Sequence, residues 1–162
     1  GGRIKELTNI LDIHATILDL AKVKNTSHCD GRSVLPLVNK TSKKWDNEIF
    51  IQISESQLAR SLRTEKWKYC IADQDSNGSD KPSSNQYKET NLYDLDADPY
   101  ELNNLIGIST YDEIVTSLRK KIKSKIKKVE NITTKITKAK NVNNPGQMGL
   151  NPDSFHRLKK KL

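Results

Sequence analysis

Apolar positions along this chain change period several times. From Ile13, residues Ile17, Leu18, Leu20 and Ala21 keep helical spacing behind Asp12, a good N-cap, so a short helix is predicted over 13–21. Just upstream, Glu-Leu-Thr-Asn-Ile-Leu at 6–11 fits a short strand. The polar segment 22–32 closes on Asp30-Gly31, a turn signal, and Ser33 can then cap one turn from Val34 to Val38. Three strand-like runs follow at 48–54, 59–64 and 66–72, the first rich in β-branched and aromatic residues. Residues 73–91 hold a single apolar residue, Tyr87, and are expected to form a long solvated loop. Asn91-Leu92-Tyr93-Asp94-Leu95 alternates as a fourth strand, stopped by Asp96 to Pro99. Ser109 opens a helix to about Glu130, with Ile114, Leu118, Ile122, Ile126 and Val129 as its apolar stripe. Beyond Glu130, Pro145, Gly146, Gly149 and Pro152 break any pattern, and 131–162 is expected to be a mostly irregular tail. The order predicts an α+β fold: a small four-stranded antiparallel sheet packed against a C-terminal helix, with a shorter helix before it.

Charge divides the chain more sharply than hydropathy. Residues 1–111 carry 14 basic and 16 acidic side chains, a net −2, whereas residues 112–162 carry 14 and 4, a net +10. The overall +8 of the 162 residues therefore belongs to the last third. Apolar content is about 35%, below the 45–50% usual for globular domains, so the core is thin for the length. No run of 18 apolar residues is present, and the first residues lack the apolar segment of a signal peptide. With no initiator Met, the chain is expected to begin inside a longer reading frame or after processing. Its compartment stays open, cytoplasmic or exported.

Candidate chemistry is sparse. His14, His28 and His156 are the only histidines. His14 falls off the apolar face of its helix, and a surface position is expected. His28 adjoins Cys29, but neighbours in sequence rarely aim their side chains at each other, so a Cys–His dyad is not the favoured reading. Cys29 and Cys70 form neither a disulfide framework nor a metal site. Asp94, Asp96, Asp98 and Glu101 cluster, yet lack the central Gly and twelfth-position Glu of a calcium loop, so a structural turn is expected. The lysine-rich helix 119–128 has the charge to meet phosphates but no interleaved aromatic residue and no recognisable docking module.

Four segments, taken in order, carry more information than any one of them. Asp12-Ile13-His14-Ala15-Thr16-Ile17-Leu18-Asp19-Leu20-Ala21 resembles the "Asp-Leu-x-Pro-Thr-Leu-Leu-Asp-Leu-Ala" helix of sulfatases. Asp30-Gly31-Arg32-Ser33-Val34-Leu35-Pro36-Leu37 is similar to their "Asp-Gly-x-Ser-Leu-Leu-Pro-Leu" segment. Residues 49–69 resemble the strands that follow. Leu92-Tyr93-Asp94-Leu95-Asp96-Ala97-Asp98-Pro99-Tyr100-Glu101-Leu102-Asn103-Asn104-Leu105 is similar to "Leu-Tyr-Asp-Leu-x-x-Asp-Pro-x-Glu-x-x-Asn-Leu", the most specific of the four. Over roughly residues 1–130, the chain thus resembles the C-terminal part of a sulfatase of the alkaline-phosphatase-like superfamily.

That resemblance implies 1–45 as the end of a large α/β sulfatase domain and 46–130 as an antiparallel-sheet subdomain with a helix at about 109–130. The remainder, 131–162, is then a basic tail. It implies a calcium ion and a formylglycine in the parent enzyme, with a sulfated small molecule or glycan as substrate. The family's Cys/Ser-x-Pro-x-Arg motif does not occur in these 162 residues, nor does either cysteine sit in a match to it. The catalytic sulfatase domain, with its nucleophile and calcium ligands, is therefore expected upstream, and this chain alone is expected to be inactive. In the family this subdomain borders the active-site mouth, which points to Gln52, Glu55 and Arg60 as candidate substrate-binding residues. Arg60 would meet sulfate with its guanidinium fork, the competing arrangement being a surface pair with Glu55. The alternative function is a stand-alone basic module that binds polyanions, sulfated glycan or nucleic acid, through residues 112–140. Of the two, nucleic acid is the less expected partner, and a non-functional remnant is the third possibility.

Overall fold

The computed structural model describes residues 2–23, 29–41 and 44–140. His28, His156 and the glycines and prolines beyond 140 lie outside the described residues. The chain divides into two compact units, Gly1–Ile49 and Phe50–Leu162.

In the first unit, helix α1 spans Ile10–Leu20 and helix α2 Leu35–Val38. The expected strand at 6–11 is absent, because α1 starts three residues before Ile13. Asn9 is its N-cap, accepting from Leu11 N, and Asp12 closes the capping box by accepting from Asn9 N at 2.8 Å. Asp12 is thus the N3 partner rather than the cap. It is also buried, and its second carboxylate oxygen accepts from Arg32 N at 2.8 Å. Thr16 Oγ1 donates to Asp12 O and accepts from Val34 N, and Ser33 Oγ donates to Asp19 at 2.5 Å. The two motif segments of this unit therefore fold onto each other through three polar contacts. Gly31 is obligatory there: a Cβ would stand 2.0 Å from Leu11 O. Ser33 Oγ also accepts from Leu35 N, but the N-cap of α2 is Val34 rather than the expected Ser33, and the turn starts one residue later.

The second unit is a mixed sheet of five strands covered on one face by a helix. Strands β1 (Ile49–Ser54), β2 (Leu58–Arg63), β3 (Trp67–Asp73), β4 (Gln86–Asp94) and β5 (Lys135–Thr137) lie in chain order across it. Pairs β2–β3 and β3–β4 are antiparallel, while β5 runs parallel to β4. A 3₁₀ turn at Ser109–Tyr111 leads into helix α3, Asp112–Glu130, which ends on Asn131 in the left-handed conformation. The α+β class and the sheet-on-helix packing match the sequence reading, with two corrections. First, the fifth strand lies in the segment expected to be irregular. Second, β4 begins at Gln86, so the solvated loop is shorter than expected and Tyr87 is a core residue at 1% exposure.

Alternation sorts the sheet into two faces. Leu58, Leu62, Tyr69, Ile71, Tyr87 and Leu92 point toward α3, which buries Val115, Leu118, Ile122 and Ile126 against them; Ile136 of β5 completes the cluster. A register shift in the β3–β4 pairing opposes Ile71 to Glu89 and Cys70 to Asn91, so Thr90 is the extra residue of a bulge. That bulge lets both Glu89 and Leu92 turn toward the helix. Among the described residues no helix is long and apolar enough to cross a membrane.

Candidate functional site

Three polar centres lie in the second unit. The first gathers two of the three candidate residues. Arg60 sits on β2 with the outward-inward phase that sends it under the sheet toward the end of α3, at 1% exposure. Its Nε donates to Glu130 Oε1 at 2.6 Å and its Nη2 to Glu130 Oε2 at 3.1 Å, a fork geometry. The other donors reach Ile53 O, Ala59 O, Ser54 Oγ and Pro82 O. Gln52, exposed on β1, donates to the same Glu130 Oε1 at 3.1 Å. Glu55 does not join them: it is exposed at the β1–β2 turn, where its carbonyl accepts from Ser79 Oγ. The fork expected to meet a sulfate is thus closed on an internal carboxylate, and the expected surface pair with Glu55 is replaced by a buried pair with Glu130. The physical reason is coordination: five N–H groups inside the protein find six acceptors, and no donor is left pointing outward.

The second centre is Glu89. Its Oε1 accepts from Tyr69 Oη at 2.8 Å and from Arg119 Nε at 2.7 Å, while Oε2 accepts from Ala139 N at 2.9 Å. One buried carboxylate therefore fastens β3, α3 and the segment after β5. Burial and the adjacent carboxylate push the Tyr69 phenol up, so it stays a donor.

The third is the turn after β4, which holds the most specific sequence signature. Asp94 Oδ1 accepts from the backbone N–H of Asp96 and Ala97, and Asp98 accepts from Asn103 N at 2.7 Å. Backbone N–H groups, Asn103's first and then Leu102's, hold the Asp98 carboxyl below the usual range. Glu101, at φ 59°, pairs with Lys68 at 2.5 Å. Asn104 Oδ1 accepts from Leu92 N and Ile106 N, and its Nδ2 donates to Thr90 O, spanning the bulge. The acidic cluster is a clasp, as expected. Three of its carboxylates are engaged, Asp94 by backbone N–H groups and Lys66, Asp98 by Asn103 N and Glu101 by Lys68, an arrangement that does not fit a calcium ion. Among the described residues no three His, Cys, Asp or Glu side chains converge as a metal site would require.

The sheet face away from α3 carries a hollow of about 460 Å³, lined among others by Ile51, Ile53, Ser61, Lys68, Cys70 and Asn91. Cys70 Sγ lies 3.3 Å from Ser61 Oγ, and burial pushes its thiol up against the opposing pull of Ser61 and Lys68. It is a poor nucleophile at neutral pH. In the first unit, Cys29 Sγ lies 3.7 Å from His14 Nδ1, a contact the sequence reading missed because it looked to the adjacent His28. The helix α1 exposes Ile10, Ile13, Ile17 and Leu20, each more than half accessible. A hollow of about 300 Å³ runs beside Ile13, Ile17 and Val34 over the buried Asp12.

The fold and its signature turn define a sulfatase C-terminal α+β domain. The model of the family "N-sulphoglucosamine sulphohydrolase, C-terminal" matches residues 1–128, and the chain belongs to that family. It is 31% identical to Arylsulfatase K of Homo sapiens over 134 residues, covering 76% of this chain and 23% of that protein. To Arylsulfatase K of Gallus gallus it is 30% identical over 132 residues, covering 75% of this chain and 22% of the relative. A protein solved in complex with its substrate D-glucosamine-2-N,6-O-disulfate shares the fold, with TM-score 0.60 and 22% identity, over 74% of this chain and 24% of that one. The chain thus spans less than a quarter of the length of these relatives. Membership implies calcium and formylglycine in the parent enzymes.

Proposed function

We propose that this chain is the C-terminal portion of a sulfuric ester hydrolase, in which it completes the fold and forms part of the active-site rim. The nucleophile and the calcium ligands then come from a catalytic sulfatase domain outside these 162 residues, and the substrate is a sulfated small molecule or glycan. The observation that carries this reading is α1. Its capping box is complete and its motif partners are all in place, yet Ile10, Ile13, Ile17 and Leu20 stand open to solvent. A well-built helix with an uncovered apolar side is an interface, because each such side chain gains roughly 1.5–3 kcal/mol on burial. The absence of Cys/Ser-x-Pro-x-Arg from the sequence agrees with it.

At the rim, Gln52 is the residue this reading assigns to substrate, since it is exposed on β1, with Glu55 three residues on at the exposed turn. Arg60 acts one step back as a positioning residue: it holds Glu130, and Glu130 holds Gln52. The test joins this chain to a catalytic sulfatase domain and assays hydrolysis of an aryl sulfate and of a sulfated glucosamine. The joined protein is expected to turn over, the 162-residue chain alone is not, and I13D/I17D is expected to abolish activity of the joined form. Gln52→Ala should raise KM for the sulfated sugar more than it changes kcat. Hydrolysis by the unjoined chain would refute the proposal.

A further inference from the structure

The geometry points to a cationic surface, made by one side of α3 and the segment after β5, that binds a polysulfated glycan chain. Lys120, Lys123 and Lys127 follow one another at three and four residues, within roughly 60° of arc at about 100° per residue. They flank Arg119, which turns inward to Glu89. The same carboxylate accepts from Ala139 N, so Lys138 and Lys140 are pinned beside the helical turn that carries Lys120 and Lys123. All five lysines are exposed, and none pairs with a carboxylate among the described residues. Of the nearby acidic groups, Glu89 is held by Arg119 and Glu130 by Arg60, while Asp112 and Glu113, two turns up the helix, line a hollow with Lys120 alone of the five. The five lysines against those two carboxylates leave a net positive field, strongest at Lys123, Lys127, Lys138 and Lys140.

The chemistry of the donors selects the ligand. Ammonium groups on flexible stems accept sulfate oxygens from many directions and suit an irregular row of anions. Residues 112–140 contain no aromatic side chain, so no ring is available for base stacking, and a single-stranded nucleic acid is disfavoured. β5 and the lysines after it lie beyond the family match at residues 1–128, whereas Lys120, Lys123 and Lys127 lie within it. Only the choice of sulfated glycan over other polyanions rests on the proposed function; the charge arrangement stands without it.

The experiment is fluorescence anisotropy of a labelled heparin-derived dodecasaccharide with the full 162-residue chain. With about five ion pairs, affinity is expected to fall roughly a hundredfold between 50 and 200 mM salt, and only about threefold for K120Q/K123Q/K138Q/K140Q. At 50 mM that variant should bind at least about tenfold more weakly. Lys128→Gln, on the opposite flank of the helix, should leave binding unchanged. Should the quadruple variant lose its melting transition, K120Q/K123Q and K138Q/K140Q tested separately are each expected to show part of the loss. Retained affinity in the variants overturns the inference. So does equal binding of the unsulfated glycan, or of single-stranded DNA of matched charge. No ester is cleaved in this assay, so failure of the hydrolysis test leaves its outcome untouched.

Discussion

Arg60 is the residue whose surroundings depart furthest from its place in the sequence. Between Ala59 and Ser61 on a weakly alternating run it reads as a rim cation, and its partner Glu130 is 70 residues away at the end of another element. No local pattern carries a contact of that kind, since it depends on how α3 lies across the sheet. Removing one partner strands the other: Glu130→Ala leaves a fully buried guanidinium without its counter-charge. Such a change is expected to cost about 3–5 kcal/mol in urea unfolding followed by tryptophan fluorescence. Arg60→Met with Glu130→Leu, which removes both charges, should recover much of that loss. A cost below about 1 kcal/mol for Glu130→Ala would mean the pair behaves like an exposed one. By contrast, Asp94 and Asp98 were legible as a structural turn, because their bonds run to backbone groups two to five residues away.

Elements were legible where their own pattern decides them and illegible where a neighbour does. The strands β1, β2 and β3 and the helix α3 emerge within a residue or two of their expected bounds, apart from the 3₁₀ turn that opens the helix segment. The first half of β4 did not, because its inward residues are Tyr87 and Glu89 and its phase reverses at the bulge. The strand β5 has one apolar residue, Ile136, and exists because β4 offers it an edge and Glu89 holds Ala139. The expected apolar stripe of α3 holds from Ile114, which packs against the core, to Ile126, but it omitted the buried Val115 and ended on Val129, which is 57% exposed. The difference is measurable. Val115→Ala removes two buried carbons and should destabilise by about 1.5–2 kcal/mol, whereas Val129→Ala should stay within about 0.5 kcal/mol. Equal effects in chemical denaturation would restore the stripe read from spacing alone.

For the whole molecule, the ordered motifs announced the family, while the division into two units at Ile49 and Phe50 follows from where contacts concentrate. The second unit holds the buried titratable groups that set how the chain responds to pH. Burial first, then Glu89, pushes Tyr69 up, and burial does the same for Tyr87 and Tyr93. Above the ordinary phenol value of about 10 the unfolded chain releases protons that the native state retains. Native stability from these groups is therefore complete below pH about 10 and declines as pH rises beyond it. Asp73 acts at the other end. Burial alone would raise its carboxyl, but Ser84 and Ser76, the Asp75 N–H and Lys81 outweigh it and the net shift is downward. Its contribution is present above the unfolded value of about 3.9 and is lost as pH falls below it. The melting temperature of the second unit should thus fall on both flanks, with Asp73→Asn flattening the acid side. Tyr69→Phe should lower stability at neutral pH, because Glu89 loses a donor, yet make the alkaline decline shallower. An alkaline slope unchanged in Tyr69→Phe would show that the phenol ionises as freely in the core as in the unfolded chain, and the buried Tyr69–Glu89 hydrogen bond would then not be the lock that the fold describes.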